Sequence, residues 1–89
     1  MALVSIPAPL RRYSDGIGRF ESTGTTVAEI LVEIARRFPG LFARIADEGR
    51  LRRFVNVYLN DRDIRALDDL ASKVGAGDVL DILPAFARG

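Results

Sequence analysis

The segment from Thr26 to Gly40 brackets the one long helix this chain can build, and that helix constrains the fold more than any other feature. Thr26-Val27-Ala28-Glu29 has capping-box spacing: the threonine hydroxyl accepts from the amide three residues on, and the glutamate reaches back to the start of the helix. Beyond it, Val27, Ile30, Leu31, Ile34 and Phe38 repeat at helical spacing on one face, with Glu29, Glu33, Arg36 and Arg37 mostly on the other. Pro39-Gly40 ends the run, so the pattern predicts a helix over about 26–38. An apolar stripe of this kind is a core face far more often than a partner-binding face. It therefore needs a sheet or a second layer to cover it.

The rest of the chain supplies strands. Residues 2–6 alternate in β-prone fashion and close at Pro7, Ala8 to Tyr13 runs towards a turn, and Ser14 to Gly18 is rich in turn formers. Arg19 to Ser22 pairs back as a second strand. After the helix, Leu41 to Ala46 reads as a short extra helical turn and Asp47-Glu48-Gly49 as a loop. Arg53 to Leu59 reads as a third strand, with Val55, Val57 and Leu59 inward and Phe54, Asn56 and Tyr58 outward. Asn60-Asp61 turns the chain into a brief fourth strand near Asp63 to Arg65. Leu67 to Val74 connects, with one helical turn, and Gly75 to Asp78 launches a last strand over Val79 to Leu83.

This order is strand, strand, helix, strand, short strand, strand. It is an α+β chain with the β-grasp (ubiquitin-like) order: a mixed four- to five-stranded sheet with one main helix. The parallel pairing of the first and last strands at the centre comes from that fold, since pairing cannot be read from sequence. Residues 1–83 form the expected domain and 84–89 an extended C-terminal tail, because Pro84 breaks sheet pairing and no periodicity follows.

Composition narrows the chemistry. Eighty-nine residues, 48% of them hydrophobic, suit one small domain. Without cysteine there are no disulfides or thiolate sites, and without histidine the commonest metal ligand and general base is absent. The apolar runs are too short to span a membrane, and the net charge of +1 draws neither nucleic acid nor an anionic membrane. Met1 to Ile6 alternates like a strand and lacks the basic region and longer apolar core of an export signal, from which a cytoplasmic location is expected. The charge is unevenly spread. Six arginines lie between residues 36 and 53 against Asp47 and Glu48, and six aspartates between 61 and 81 against Arg62, Arg65 and Lys73. Such runs are usually solvated surface, and less often a docking patch. Asp61 with Asp63 and Asp68 with Asp69 are the only arguments for an enzyme; carboxylates so spaced in turns serve mostly as acceptors for local backbone.

Three stretches carry a family resemblance: Val4-Ser5-Ile6-Pro7 with Leu10-Arg11; Arg53 to Asp61 with Asp63-Ile64-Arg65; and Gly77-Asp78 with Ile82-Leu83-Pro84-Ala85. Together they make the chain resemble the MoaD/ThiS family of ubiquitin-like sulfur carriers, most similar to the cysteine-biosynthesis carriers and molybdopterin synthase small subunits. The resemblance implies a protein that is not an enzyme and binds no cofactor. Its C-terminal glycine, here Gly89, would be adenylated by a ubiquitin-activating-type enzyme that uses ATP and then converted to a thiocarboxylate. The implied partners are that adenylyltransferase/sulfurtransferase and a sulfur-accepting enzyme such as a cysteine synthase or the molybdopterin synthase large subunit, serving cysteine, molybdopterin or thiamine biosynthesis. In that family two glycines end the tail, and glycine without a Cβ lets a backbone thread a narrow channel. Arg88 stands at the first of these two positions. The departure gives an alternative reading: a related interaction module that lacks acyl activation. The expected docking residues are Phe54, Leu83, Pro84, Ala85, Phe86, Ala87 and Arg88, with Phe54 and Leu83 contributing only if exposed near the tail.

Overall fold

The computed structural model describes residues 1–84. Its main helix, α1, spans Val27–Arg37 and starts as the capping pattern requires, with the Glu29 amide donating to Thr26 Oγ1 at 3.1 Å. The reciprocal half is displaced by one residue. Glu29 Oε1 accepts from the Thr25 amide at 2.7 Å and from Thr25 Oγ1 at 2.9 Å, and Thr26 is bridged to Lys73. Val27, Ile30, Leu31, Ile34 and Phe38 are all buried. Gly24, just ahead of the helix, lies so close to it that a Cβ there would sit 2.8 Å from Ile30 Cγ1.

Pro39 ends α1 but also opens a second helix, α2, over Pro39–Ile45, longer than the single turn expected. Proline suits the first turn of a helix, where its missing N–H goes unused. Leu41 and Ile45 are buried on its inner side.

The remaining strands are β1 (Ala2–Ser5), β2 (Arg19–Ser22), β3 (Ala46–Asp47), β4 (Arg50–Leu51), β5 (Val55–Leu59), β6 (Arg62–Asp63) and β7 (Val79–Pro84). Five of them form one sheet in the order β2-β1-β7-β5-β6, with β1 and β7 parallel and the other neighbours antiparallel. This is the mixed β-grasp sheet. The inward residues Val4, Leu80, Ile82, Val57 and Leu59 meet the α1 stripe in one core. The buried hydroxyls of Ser14, Ser22 and Ser72 are each hydrogen-bonded, as burial of polar groups demands.

Three expectations are corrected. Arg53 and Phe54 belong to a turn, closed by the Val55 amide donating to the Arg52 carbonyl at 3.0 Å, so β5 starts two residues later than the alternation suggests. The stretch around Asp47-Glu48-Gly49 is the hairpin β3–β4, whose two turn residues Glu48 and Gly49 both have positive φ (52° and 76°). That is the backbone a two-residue hairpin needs, reached here with one glycine. The short strand lies at Arg62–Asp63, and the segment from Ile64 to Ala66 is a 3-10 turn that buries Ile64.

The β5–β6 turn is held from outside the hairpin. Asn60 and Asp61 both take positive φ (51° and 69°). Asn60 Oδ1 accepts from the Val79 amide at 2.9 Å, and Asn60 Nδ2 donates to Asp78 Oδ1 at 3.0 Å. Asp78 Oδ2 accepts from the Gly75 amide at 2.7 Å, while the Asp78 carbonyl accepts from the Leu3 amide at 2.9 Å. These bonds tie the starts of β1 and β7 to the end of β5.

Two measurements test this arrangement. Ile34→Ala is expected to cost ~2–5 kcal/mol of unfolding free energy and Thr26→Ala ~0.5–2 kcal/mol, compared by urea denaturation; similar costs would contradict a stripe-dominated core. The second concerns Asp78. The Gly75 amide, then the Asn60 side chain, holds its carboxyl below the ordinary value of 3.8. A carboxylate lowered in the folded state stabilises above its ordinary value and loses that contribution as pH falls through the lowered one. The stability gap between the wild type and Asp78→Asn, read from urea midpoints, should be full at neutral pH and close as pH drops below 3.8.

Candidate functional site

The site is where β7 leaves the sheet. Along β7 the alternation puts Leu80, Ile82 and Pro84 inward and buried, and Asp81 and Leu83 outward. On the other side of the antiparallel ladder, Val55 stands opposite Pro84, Asn56 opposite Leu83 and Val57 opposite Ile82. Pairing thus runs through Pro84, one residue past the expected end of the last strand at Leu83.

Of the expected docking residues, Leu83 and Phe54 are exposed, at 45% and 46% of their surface. Both lie beside Pro84: Leu83 precedes it, and Phe54 precedes its cross-strand partner Val55. The fold therefore brings Phe54, Leu83 and Pro84 to one end of the sheet, with Pro84 buried. Ala85, Phe86, Ala87, Arg88 and Gly89 lie outside the described residues.

The outer face beside Leu83 carries groups that the sequence reading passed over. Arg65 donates through Nη2 to Asn56 Oδ1, next to Leu83, and to Asp63 Oδ2 at 2.7 Å. Its Nε and its own amide both donate to Asp63 Oδ1. The guanidinium first, and the amide second, hold the Asp63 carboxyl below the usual carboxylate range. Tyr58 lies between Asp63 and Asp81 in register. The alternation of β5 was the available signal, since it marks Asn56 and Tyr58 as outward, but it cannot say which loop residue reaches across to them.

Beyond the turn that precedes β5 the surface is basic. Arg50 and Arg53 are exposed, Arg52 donates through Nε and Nη2 to the Ala43 carbonyl at 3.2 and 3.0 Å, and the Arg44 guanidinium lies 4.7 Å from the centre of the Tyr13 ring. Among the described residues the ion pairs are Glu33 with Arg37 and Asp63 with Arg65. No helix among them is long and apolar enough to cross a membrane.

The family model of the ThiS family matches residues 4–89, from the first strand to the final glycine. The chain belongs to the ThiS family. Sulfur carrier protein CysO of Mycobacterium tuberculosis is 37% identical over 89 residues, which cover 97% of this chain and 96% of that protein. Among solved structures, a chain in the Amycolatopsis orientalis BexX/CysO complex superposes with a TM-score of 0.89 at 44% identity, covering 96% of each chain. The small archaeal modifier protein 1 of Methanosarcina acetivorans superposes with a TM-score of 0.87 at 25% identity, covering 99% of this chain and 95% of that one. Asp63 is engaged by Arg65, and Asp61 is a turn residue.

The split between an outward Leu83 and an inward Ile82 makes a prediction for this ThiS-family member. Leu83→Ser should shift stability by less than about 0.5 kcal/mol. Ile82→Ala should cost ~2–5 kcal/mol. Thermal or urea melts separate the two, and a large loss for Leu83→Ser would mean that its side chain is core.

Proposed function

We propose that this chain is a sulfur carrier whose Gly89 carboxylate is adenylated by a ubiquitin-activating-type enzyme and converted to a thiocarboxylate. The observation that carries the reading is the extent of the family match, which includes the terminal glycine as well as the folded body. The curated relative named as a sulfur carrier, matched over nearly its whole length, supports it. A carboxylate is a poor electrophile and has to be activated before sulfur can add, which on this reading is done with ATP held by a partner.

The steps balance simply. A Gly89 carboxylate oxygen attacks the α-phosphorus of ATP and pyrophosphate leaves, giving an acyl adenylate. A sulfide-level nucleophile then attacks the carbonyl carbon, and AMP departs with the electron pair of the broken C–O bond. ATP is held by the activating enzyme, and the carrier binds no cofactor. The absence of a Cβ at Gly89 leaves the carbonyl open to attack from both faces. Arg88 is the group the enzyme must accommodate, with Phe86, Ala87 and Ala85 as the remaining tail contacts and Leu83 and Phe54 at its root. The acceptor is a sulfur-consuming biosynthetic enzyme, such as a PLP-dependent cysteine synthase or a molybdopterin synthase large subunit, in the cytoplasm. The solved complex of a relative with a second protein, BexX, supports a role exercised through docking.

The test is an intact-mass measurement. The purified chain is incubated with ATP, sulfide and the ubiquitin-activating-type enzyme of the same genome, and the expected product has one oxygen replaced by sulfur. Deleting Gly89 should abolish the change. An unmodified wild-type chain, with an enzyme shown to activate another carrier, would overturn the proposal and favour the interaction module without acyl chemistry.

A further inference from the structure

In the segment from Arg50 to Phe54, Leu51 packs against the core and Arg52 is half-buried, while Arg50, Arg53 and Phe54 are exposed and form a basic ridge. Arg52 is fixed to the end of α2 through the Ala43 carbonyl, and Arg44 and Arg52 line one hollow together with Phe54. Asp47 stands opposite Arg50 in the β3–β4 ladder, yet neither Arg50 nor Arg53 has a carboxylate within ion-pair distance among the described residues. A stability role would have closed those pairs.

The geometry points to this ridge as the docking surface for an acidic face of the enzyme that acts on Gly89, an inference that rests on the carrier reading above. Two observations favour that occupant. The first is position. Phe54 adjoins Val55, the partner of Pro84, and Gly89 stands five residues beyond Pro84. Fully extended, those residues span at most ~18 Å. That is less than the smallest dimension of the molecule, 23 Å, so an enzyme holding the terminal carboxylate necessarily lies near the end of the sheet that carries the ridge. The second is charge. Around the β3–β4 hairpin Arg44, Arg50, Arg52 and Arg53 outnumber Asp47 and Glu48, with Asp63, Asp68 and Asp69 confined to the far wall of the adjoining hollow, and Phe54 supplies an aromatic anchor at 46% exposure.

Other ligands fit less well. The adjoining hollow of about 530 Å³ is lined by Arg50, Arg52 and Arg53 but also by Asp63, Asp68 and Asp69, so a small anion there would meet carboxylates. A nucleic acid would have to follow a surface whose net charge is only +1 and whose 61–81 segment carries six aspartates.

Exposed charges at an interface act mainly on encounter rate and salt dependence. The experiment compares Arg50→Glu/Arg53→Glu with a control of equal charge change, Arg19→Glu/Arg62→Glu, in the full chain; all four arginines are exposed. With the ubiquitin-activating-type enzyme of the same genome, ATP and sulfide, the ridge variant should raise the KM for the carrier about tenfold or more, leave kcat unchanged and flatten the dependence on salt. The control should change KM little. Urea melts establish that both variants fold. Equal effects from the two variants, or none from the ridge variant, overturn the inference while leaving the carrier reading intact. If the wild type is not modified at all, calorimetry with the same enzyme decides: salt-sensitive binding weakened only by the ridge variant supports the docking surface while the carrier reading falls, and no binding overturns both. Tighter binding of a labelled single-stranded RNA, lost in the ridge variant, would assign the surface to nucleic acid instead.

Discussion

Strand β7 comes from the end of the chain and runs through the middle of the sheet, and the structure depends on the two ladders that hold it there. On one side it pairs in parallel with β1, on the other antiparallel with β5. The parallel ladder requires a crossover, within which α1 lies, and the α1 stripe shares the core with Leu41 and Ile45 of α2. Its register is set at the lower end by the Asn60 and Asp78 side chains, which bond β7 to the β5–β6 turn while the Asp78 carbonyl bonds to β1. A slip of one residue would turn Leu80 and Ile82 outward and bring Asp81 and Leu83 into the core. The consequence for function is that Pro84 is buried and held opposite Val55 of β5, while the pairing to β1 stops at Asp81. The chain beyond Pro84 starts from a fixed point on the body.

The helix was legible because its signals agree at several levels: a cap, a stripe, a charged opposite face and a proline at the end. The strand pattern gave Arg19–Ser22 to the residue, and the inward set of β5, because alternation survives in both. It failed at Arg53-Phe54. Phe54 favours strands and adjoins the β-branched run, but the backbone there closes a turn onto Arg52, a tertiary requirement with no composition signature. Likewise Glu48-Gly49 carries half of the usual hairpin pair, and Asn60-Asp61 carries none of its glycine. In the second case the reason is visible. Glycine at residue 60 would have no side chain to hold β7, so the strain of a positive φ is offset by the bonds to Val79 and Asp78.

The candidate site was legible in parts of different kinds. The terminal glycine and its neighbours stood out by resemblance, which is a statement about chemistry done by other proteins. The exposure of Leu83 could not be read from sequence, since an apolar residue at the end of an apolar strand fits the core equally well. What decides it is the parity of β7: Leu83 falls on the same face as Asp81, and the buried Pro84 falls with Ile82. The Arg65 bridge to Asn56 was hidden for another reason. It joins residues nine apart through a 3-10 turn whose geometry depends on burying Ile64.

A carrier makes unusual demands on its body, and the charge pattern follows from them. On the proposed reading the Gly89 carboxylate reacts inside another protein, so the folded domain would contribute placement and not chemistry. Placement by apolar contact alone would require a large exposed patch, a liability in a chain this small. Two exposed apolar side chains, Phe54 and Leu83, supplemented by arginines held on turns and strand ends, give a surface that attracts a partner at long range yet releases it readily. Charges at a solvated rim raise the encounter rate more than they deepen the bound state. That balance would suit the proposed carrier, which leaves one enzyme loaded and docks on the next, and it fits Arg50 and Arg53, which have no carboxylate partner among the described residues.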